Sequence, residues 1–286
     1  LRRHEEPFPR HSGTLPVAAQ EPASQSAGFG RKAARTVAEL LITVGLVMLL
    51  FVVYALYVTN WTSARLQQEA SSELDKRWSQ ERQTRSEPID GKAFGRIYIP
   101  SFGADYRFTI QQGVDAAALE VGPGHYKDTA MPGKLGNFGL AGHRVGKGAP
   151  FNDLDLLNSC DAIVIETADT FFVYRVLPMK QEIADWESGK KLDRKCTGVS
   201  PLDAPYDATF GRVIVTPDRR DAVSPVPYKP AGVLAKESHL PLLSLTTCHP
   251  WFSERERLII HAVLTDQYEK TPGAGYVDLL QTIGET

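Results

Sequence analysis

Cys248 closes a run of strand-forming residues, LSLTTC, and is followed by His249 and Pro250. Proline ends a ladder, so the thiol is left at a strand's C-terminal edge, where loops and ligands meet. A second strand-like run opens at Arg257. If the two form a hairpin whose loop is centred between 252 and 253, antiparallel pairing sets Arg257 directly across from Cys248. A guanidinium there favours the thiolate, the form that attacks. It also offers planar paired donors to a substrate carbonyl or oxyanion. Arg255, two residues away on the same face and nearer the loop, is the alternative. For either arginine a solvated edge charge is the competing explanation.

A thiol nucleophile needs a proton partner, and the chain has seven histidines. His4 and His11 fall in a polar N-terminal stretch, His239 sits in a polar loop, and His261 lies mid-strand as a packed or edge imidazole. His249 is adjacent to Cys248, so in extended backbone it points to the opposite face and makes a poor base. His143 ends the run NFGLAGH, where Gly136, Gly139 and Gly142 let another backbone or a ligand come close. His125, in GPGHY, has a similar loop setting without a strand to fix it and ranks second. Two readings stay open on these residues alone: a Cys/His nucleophilic pair on a β-scaffold, or an unpaired buried thiol. Metal chemistry has weaker support, since there is no H-E-x-x-H, no C-x-x-C and no carboxylate at ligand spacing from His143.

The elements that must hold these residues follow from the rest of the chain. Of 286 residues, 42% are hydrophobic and 23% charged, and 32 Lys+Arg against 34 Asp+Glu leave a formal charge of -2. That is ordinary globular composition without the basic excess that nucleic-acid binding requires. Residues 1–36 are basic and rich in Ser, Pro, Gly and Ala, and read as a disordered cytoplasmic tail. No residue from Leu40 to Val58 is charged, an uninterrupted stretch of about 19 residues, or roughly 28 Å of helix. A transmembrane helix is therefore expected over 37–60, with residues 40–58 in the membrane; a signal peptide has a shorter apolar region and a small-residue cleavage site. Arg31, Lys32 and Arg35 precede it, while Tyr54, Tyr57 and Trp61 mark its far side. The positive-inside rule then puts the N-terminus in the cytoplasm and the remainder outside the cell.

Residues 61–90 carry good helix formers with a sparse stripe of Leu66, Leu74 and Trp78, and read as an extracellular polar stalk. From 91 to 268 short β-branched and aromatic runs alternate with Gly, Pro and Asp. Eight strands are predicted, over 96–100, 106–110, 137–142, 161–167, 171–177, 211–216, 242–248 and 257–264. That number suggests an all-β domain closed into a barrel with short helices. Residues 180–210 interrupt the rhythm as a long excursion on one end of the barrel. Residues 269–286 form a C-terminal tail with a turn and a short amphipathic helix.

TTC at 246–248, ERLIIHA at 256–262 and GNFGLAGHR at 136–144 together resemble the sortases, membrane-anchored cysteine transpeptidases of Gram-positive bacteria. The resemblance covers roughly 94 to 265 and includes FxxLxxL at 151–157 and DAIVIET at 161–167. GPGHYKDTAMPGKLGNFGLAGHR and the TTCHP ending look most like the class E, housekeeping-type enzymes of actinobacteria. The resemblance implies an eight-stranded β-barrel, with His143, Cys248 and Arg257 as the catalytic residues. It also implies a thioacyl-enzyme formed at a C-terminal sorting signal, Leu-Ala-x-Thr-Gly-like or Leu-Pro-x-Thr-Gly-like, cut between Thr and Gly. The acyl group then passes to an amine of a peptidoglycan precursor of the lipid II type, with diaminopimelate suggested by an actinobacterial wall. Thr246 and Thr247 become candidates for substrate-binding hydroxyls. No metal or other cofactor is expected, because the acidic loop residues that bind an activating metal in some members have no match here.

Two departures from the family pattern stand out: Cys160 where glycine is frequent, and a longer 180–210 excursion containing Cys196. In an oxidising compartment these two cysteines can pair and leave Cys248 free. The excursion is also placed to narrow access to the active site. An Asp-Pro-aromatic lid segment and a second apolar span after 268 are both missing, which favours housekeeping anchoring over pilus assembly. The alternatives are a secreted cysteine peptidase that releases its acyl-enzyme to water, and an inactive membrane-tethered scaffold domain.

Overall fold

The computed structural model describes residues 26–54, 58–80, 88–271 and 275–285, with side-chain surroundings given from residue 31 onward. The tail expected over 1–36 thus lies mostly outside the described residues, as does Tyr57. From Ser26 the chain is helical, eleven residues ahead of the expected boundary at Val37. This helix, α1 (Ser26–Val53), has 28 residues, and its stretch Arg31–Val53 is long and apolar enough to cross a membrane. Its apolar side chains from Leu40 to Val53 are exposed. All of it but its last two residues belongs to one compact unit that ends at Phe51, and the rest of the chain forms a second.

The second unit is built on nine strands. They are β1 (Ala93–Tyr98), β2 (Arg107–Gln112), β3 (Gly124–His125), β4 (Gly136–Ala141), β5 (Ala162–Glu166), β6 (Thr170–Val176), β7 (Arg212–Val215), β8 (Pro241–His249) and β9 (Glu256–Glu269). All eight expected runs are strands; β3, only two residues long, is the addition. Eight of the nine close a barrel in the order β6-β5-β1-β2-β3-β4-β8-β9, sealed by pairing of β9 with β6. Strand β7 lies outside this ring and pairs with the first part of β9.

Side-chain alternation along the strands separates inside from outside. Phe138, Leu140, Leu243, Leu245, Leu258, Ile260 and Ala262 face inward, with Ile97, Ile110, Ile163, Ile165 and Tyr174, and make a core with almost no solvent exposure. The intervening residues of β4, β8 and β9, among them Asn137, Ser244, Thr246 and His261, are buried on the outer face. Something must therefore cover that face, and the connection between β7 and β8 does so: Val223 packs beside Gly139, and Asn137 Nδ2 donates to the Ser224 carbonyl over 3.0 Å.

The expected stalk divides into two parts. Helix α2 (Thr59–Gln80) lies along the barrel, and residues 81–87 lie outside the described ones. The apolar stripe is too sparse to explain the docking; polar anchors do most of it. Gln67 accepts from the Thr109 amide over 2.8 Å and donates to the Val121 carbonyl over 2.6 Å. Arg77 donates to the Ala93 carbonyl. Arg96, on β1, ion-pairs with Asp75 at 2.7 Å and lies 4.8 Å from the Trp78 ring centroid. Leu74, 1% exposed, fills the remaining contact. A short helix, α3 (Ala116–Val121), precedes β3, and the C-terminal segment also docks: α4 (Tyr276–Ile283) stacks Tyr276 on Tyr98 with centroids 4.0 Å apart, while Glu285 pairs with Arg175 at 2.7 Å.

The excursion between β6 and β7 contains three short 3-10 turns and is tied down rather than loose. Cys160 and Cys196 are disulfide-bonded with Cα atoms 4.9 Å apart. Trp186, 1% exposed, packs with both cysteines and Val199 against Val263. Val263 lies six residues along β9 from Arg257, about 20 Å in an extended strand. The bridged part of the excursion therefore buttresses the barrel away from Cys248 instead of narrowing access to it.

Candidate active site

Two registers bring the candidate residues together. Strands β8 and β9 pair antiparallel with Cys248 opposite Arg257, the pairing that hairpin symmetry required. Strands β4 and β8 pair in parallel, from Gly136 with Pro241 to Ala141 with Thr246. The same alignment continues past the ladder: the Gly142 amide donates to the Thr246 carbonyl over 3.1 Å, and Thr247 Oγ1 donates to the Gly142 carbonyl over 2.8 Å, across 105 positions. His143 is thereby set alongside Cys248. By strand alternation His143, Cys248 and Arg257 all project from the outer face, on three neighbouring strands.

Gly142 is required for this approach. A Cβ there would lie 2.5 Å from Phe151 Cδ2, and Phe151, the first residue of FxxLxxL, returns its amide to the His143 carbonyl over 3.0 Å. The loop after the histidine is thus folded back against the strand end, which fixes His143 by backbone rather than by side-chain bonds. His143 Nε2 is shielded and hydrogen-bonds to no described residue. Arg257 Nη1 donates to the carbonyls of Glu254 and Glu256, each over 3.0 Å, so the guanidinium is braced by its own hairpin. Arg255 is exposed and precedes the ladder.

Burial dominates the electrostatics. It pushes the free Cys248 thiol up, with Glu254 adding to the rise, while Arg257 and Arg144 pull it back down. Burial also pulls the His143 pKa down, as does Lys147, against opposing contributions from Glu254 and Glu120. The resting pair is accordingly a neutral thiol beside a neutral imidazole. The nearby arginine was expected to favour the thiolate, and it does act in that direction, but desolvation outweighs it.

Thr246 and Thr247 are engaged within the protein: Thr246 Oγ1 bonds the Tyr126 hydroxyl at 2.9 Å, and Thr247 supplies the Gly142 bond. Both are nearly fully buried. Their observed contacts hold β4 and the loop before it against β8. His125 is buried and bonded through both ring nitrogens, to Gln112 and to Ala130 and Thr129, with its pKa lowered to about 4 by burial. His261 joins a buried chain on the outer face. Tyr228 lies 2.8 Å from Nε2, Ser244 Oγ lies 2.7 Å from Nδ1, and Ser244 donates to Asn137 Oδ1 over 2.9 Å. With Ser244 donating onward, Nδ1 carries the proton and Nε2 accepts from Tyr228. The ring is neutral, and burial lowers its pKa to about 3. This chain pins the β7–β8 connection beside the site.

One pair escaped sequence reasoning. Arg144, 2% exposed, donates to His249 Nδ1 over 2.7 Å and ion-pairs with Asp155 at 2.9 Å. Its guanidinium also lies 5.7 Å from the Trp251 ring centroid. Each member directly follows a candidate catalytic residue, and the two are 105 positions apart, the same offset that sets His143 beside Cys248. The signal was present in that repeated offset, but it is readable only once the parallel pairing is known. The clamp ties the two strand ends on the face opposite His143 and Cys248.

The sortase domain family model matches residues 97–265. Sortase SrtE1 of Streptomyces coelicolor is 30% identical over 248 residues, which is 84% of this chain and 60% of that protein. Sortase SrtE2 of the same organism is 35% identical over 187 residues, 57% of this chain and 74% of that protein. Among solved structures, the SrtF sortase from Corynebacterium diphtheriae superposes with a TM-score of 0.58 and 40% identity, over 69% of this chain and 96% of that one. A closed barrel carrying a free cysteine at the end of one strand, with an arginine and a histidine on the strands to either side, agrees with those matches, and the chain belongs to the sortase family, in its class E-like branch.

Proposed function

We propose that this chain is a membrane-anchored cysteine transpeptidase that joins surface proteins to the cell wall. The observation that carries the reading is the alignment of His143, Cys248 and Arg257 on one outer face of three hydrogen-bonded strands. Helix α1 anchors the chain, with its basic N-terminal flank in the cytoplasm and the barrel outside the cell.

The substrate is a C-terminal sorting signal of the Leu-Ala-x-Thr-Gly or Leu-Pro-x-Thr-Gly kind. The Cys248 thiolate attacks the Thr carbonyl, a C–S bond forms, and Arg257 donates hydrogen bonds to the developing oxyanion. The C–N bond to Gly breaks as His143 delivers its proton to the departing amine. The amine of a peptidoglycan precursor then gives a proton back to His143 and attacks the thioester, releasing Cys248 and leaving a new amide. The thiolate–imidazolium form is a minor fraction of a coupled pair, because burial raises one pKa and lowers the other.

The test uses the full chain in detergent with quenched Leu-Ala-x-Thr-Gly and Leu-Pro-x-Thr-Gly peptides, with and without an added amine, alongside Cys248→Ala. Mass spectrometry should find amine-joined product that disappears in the variant, and the preferred peptide identifies the signal. Cleavage at the same rate whatever the amine, with no joined product, would make the protein a peptidase. No acyl-enzyme with either peptide would sink the reading.

A further inference from the structure

The hairpin that follows Cys248 ends in two exposed aromatic rings. Trp251 is 46% exposed and Phe252 77% exposed, with ring centroids 6.2 Å apart in an edge contact. Phe252 has φ of 59°, a left-handed backbone that aromatic residues rarely adopt and that Asn or Gly would suit better. Nothing within the turn accounts for a large apolar side chain there. Leu156, 64% exposed, lies next to Asp155, which is bonded to Arg144, on which Trp251 is placed.

The topology shows what shares this tip's end of the barrel. Strands β4 and β8 are parallel, so the 145–150 loop and the 250–255 hairpin leave the barrel at the same end. The first turn of α2 is held at that end as well: Gly148 N donates to Asn60 Oδ1 over 3.1 Å, and Ser63 is packed against Gly148. From there α2 runs down the barrel, reaching Thr109 through Gln67, Arg96 through Asp75 and Ala93 through Arg77. Between the end of α1 at Val53 and the start of α2 at Thr59 are only five residues. Fully extended, they reach at most about 18 Å. With α1 in a bilayer, a connection of this length leaves the start of α2, and the loops packed beside it, within reach of the lipid surface.

We propose that the Trp251–Phe252 tip is an interfacial anchor that enters the headgroup region of the bilayer beside the catalytic cysteine. This rests on the membrane-anchored reading above. Aromatic rings favour that layer, where an apolar body and a wet rim are both accommodated. Glu254 and Glu256 follow directly and limit entry to the depth of the two rings, while Lys147 and Arg255 at the same end suit anionic headgroups. The consequence is an active site that works at the lipid surface and takes its acceptor from there.

The full chain is reconstituted in vesicles of phosphatidylglycerol and phosphatidylethanolamine, with acyl chains brominated or plain, and tryptophan emission is compared between wild type and Trp251→Phe. The Trp251 contribution, taken by difference, is expected to fall at least twofold in brominated lipid. Phe252→Asn, which keeps the left-handed turn, is expected to weaken that quenching. Trp61, in the first turn of α2, taken by difference against Trp61→Phe, reports the anchor separately. If it is quenched while the Trp251 contribution is not, the chain is anchored with its tip in water, and the proposal fails alone. If no tryptophan is quenched, the anchoring reading fails and takes this one with it.

Discussion

At the residue scale, the behaviour of Cys248 and His143 follows from burial more than from charge. Because the histidine pKa is lowered and the thiol pKa is raised, the active thiolate–imidazolium fraction is constant between the two and declines outside them. The kcat/KM profile should be a broad bell, with an acid limb below the ordinary histidine value and an alkaline limb above the ordinary thiol value. A narrow optimum with both limbs between those values would contradict it. Glu254 raises both groups, so Glu254→Gln should move both limbs to lower pH, by an amount that shrinks with added salt because the carboxylate is exposed. Arg144→Ala removes a hydrogen bond to His249 and a contact to the half-exposed Asp155 and should cost about 1–2 kcal/mol in denaturant unfolding. If it also positions the strand ends, kcat should fall with KM little changed. Arg257 was legible because a hairpin is local and its register is symmetric about the turn. The Arg144–His249 clamp was not, because it depends on strands that no short loop connects.

Among the elements, strands built from β-branched and aromatic runs could be read directly, and every such run became one. Strand β3 could not, since two residues carry no alternation. Helix α2 was legible as a helix but not as a docked one, because its anchors are a glutamine, an arginine and the partner Arg96, which read as solvated polar groups until their acceptors are seen. The excursion was recognised, but its placement along β9 depends on the long-range contact of Trp186 and Cys196 with Val263. Its disulfide closes a separation of 36 residues, for which loss of loop-closure entropy stabilises the fold by about 4 kcal/mol. The double variant Cys160→Ser, Cys196→Ser should lose stability of that order in denaturant while retaining amine-joined product at low temperature. Abolished turnover in a folded double variant would mean that the excursion shapes the site after all.

For the whole molecule, the barrel and α2 form one stability unit. Leu74 alone contributes about 2 kcal/mol by burial, and Arg96 would lose Asp75 if the helix were absent. A chain starting at Thr59 should therefore melt about 10 °C above one starting at Glu87. Equal melting temperatures would show that α2 is held only by its tether. The parallel pairing of β4 with β8 has a further consequence, one of timing. Histidine and cysteine meet across 105 positions, and contacts that distant form late in folding. If the chain is exported as proposed above, the cysteine leaves the secretion channel after the histidine and has no proton partner until the ring has shut. On that reading its thiol stays chemically silent while the chain folds, among other unfolded chains it could otherwise attack.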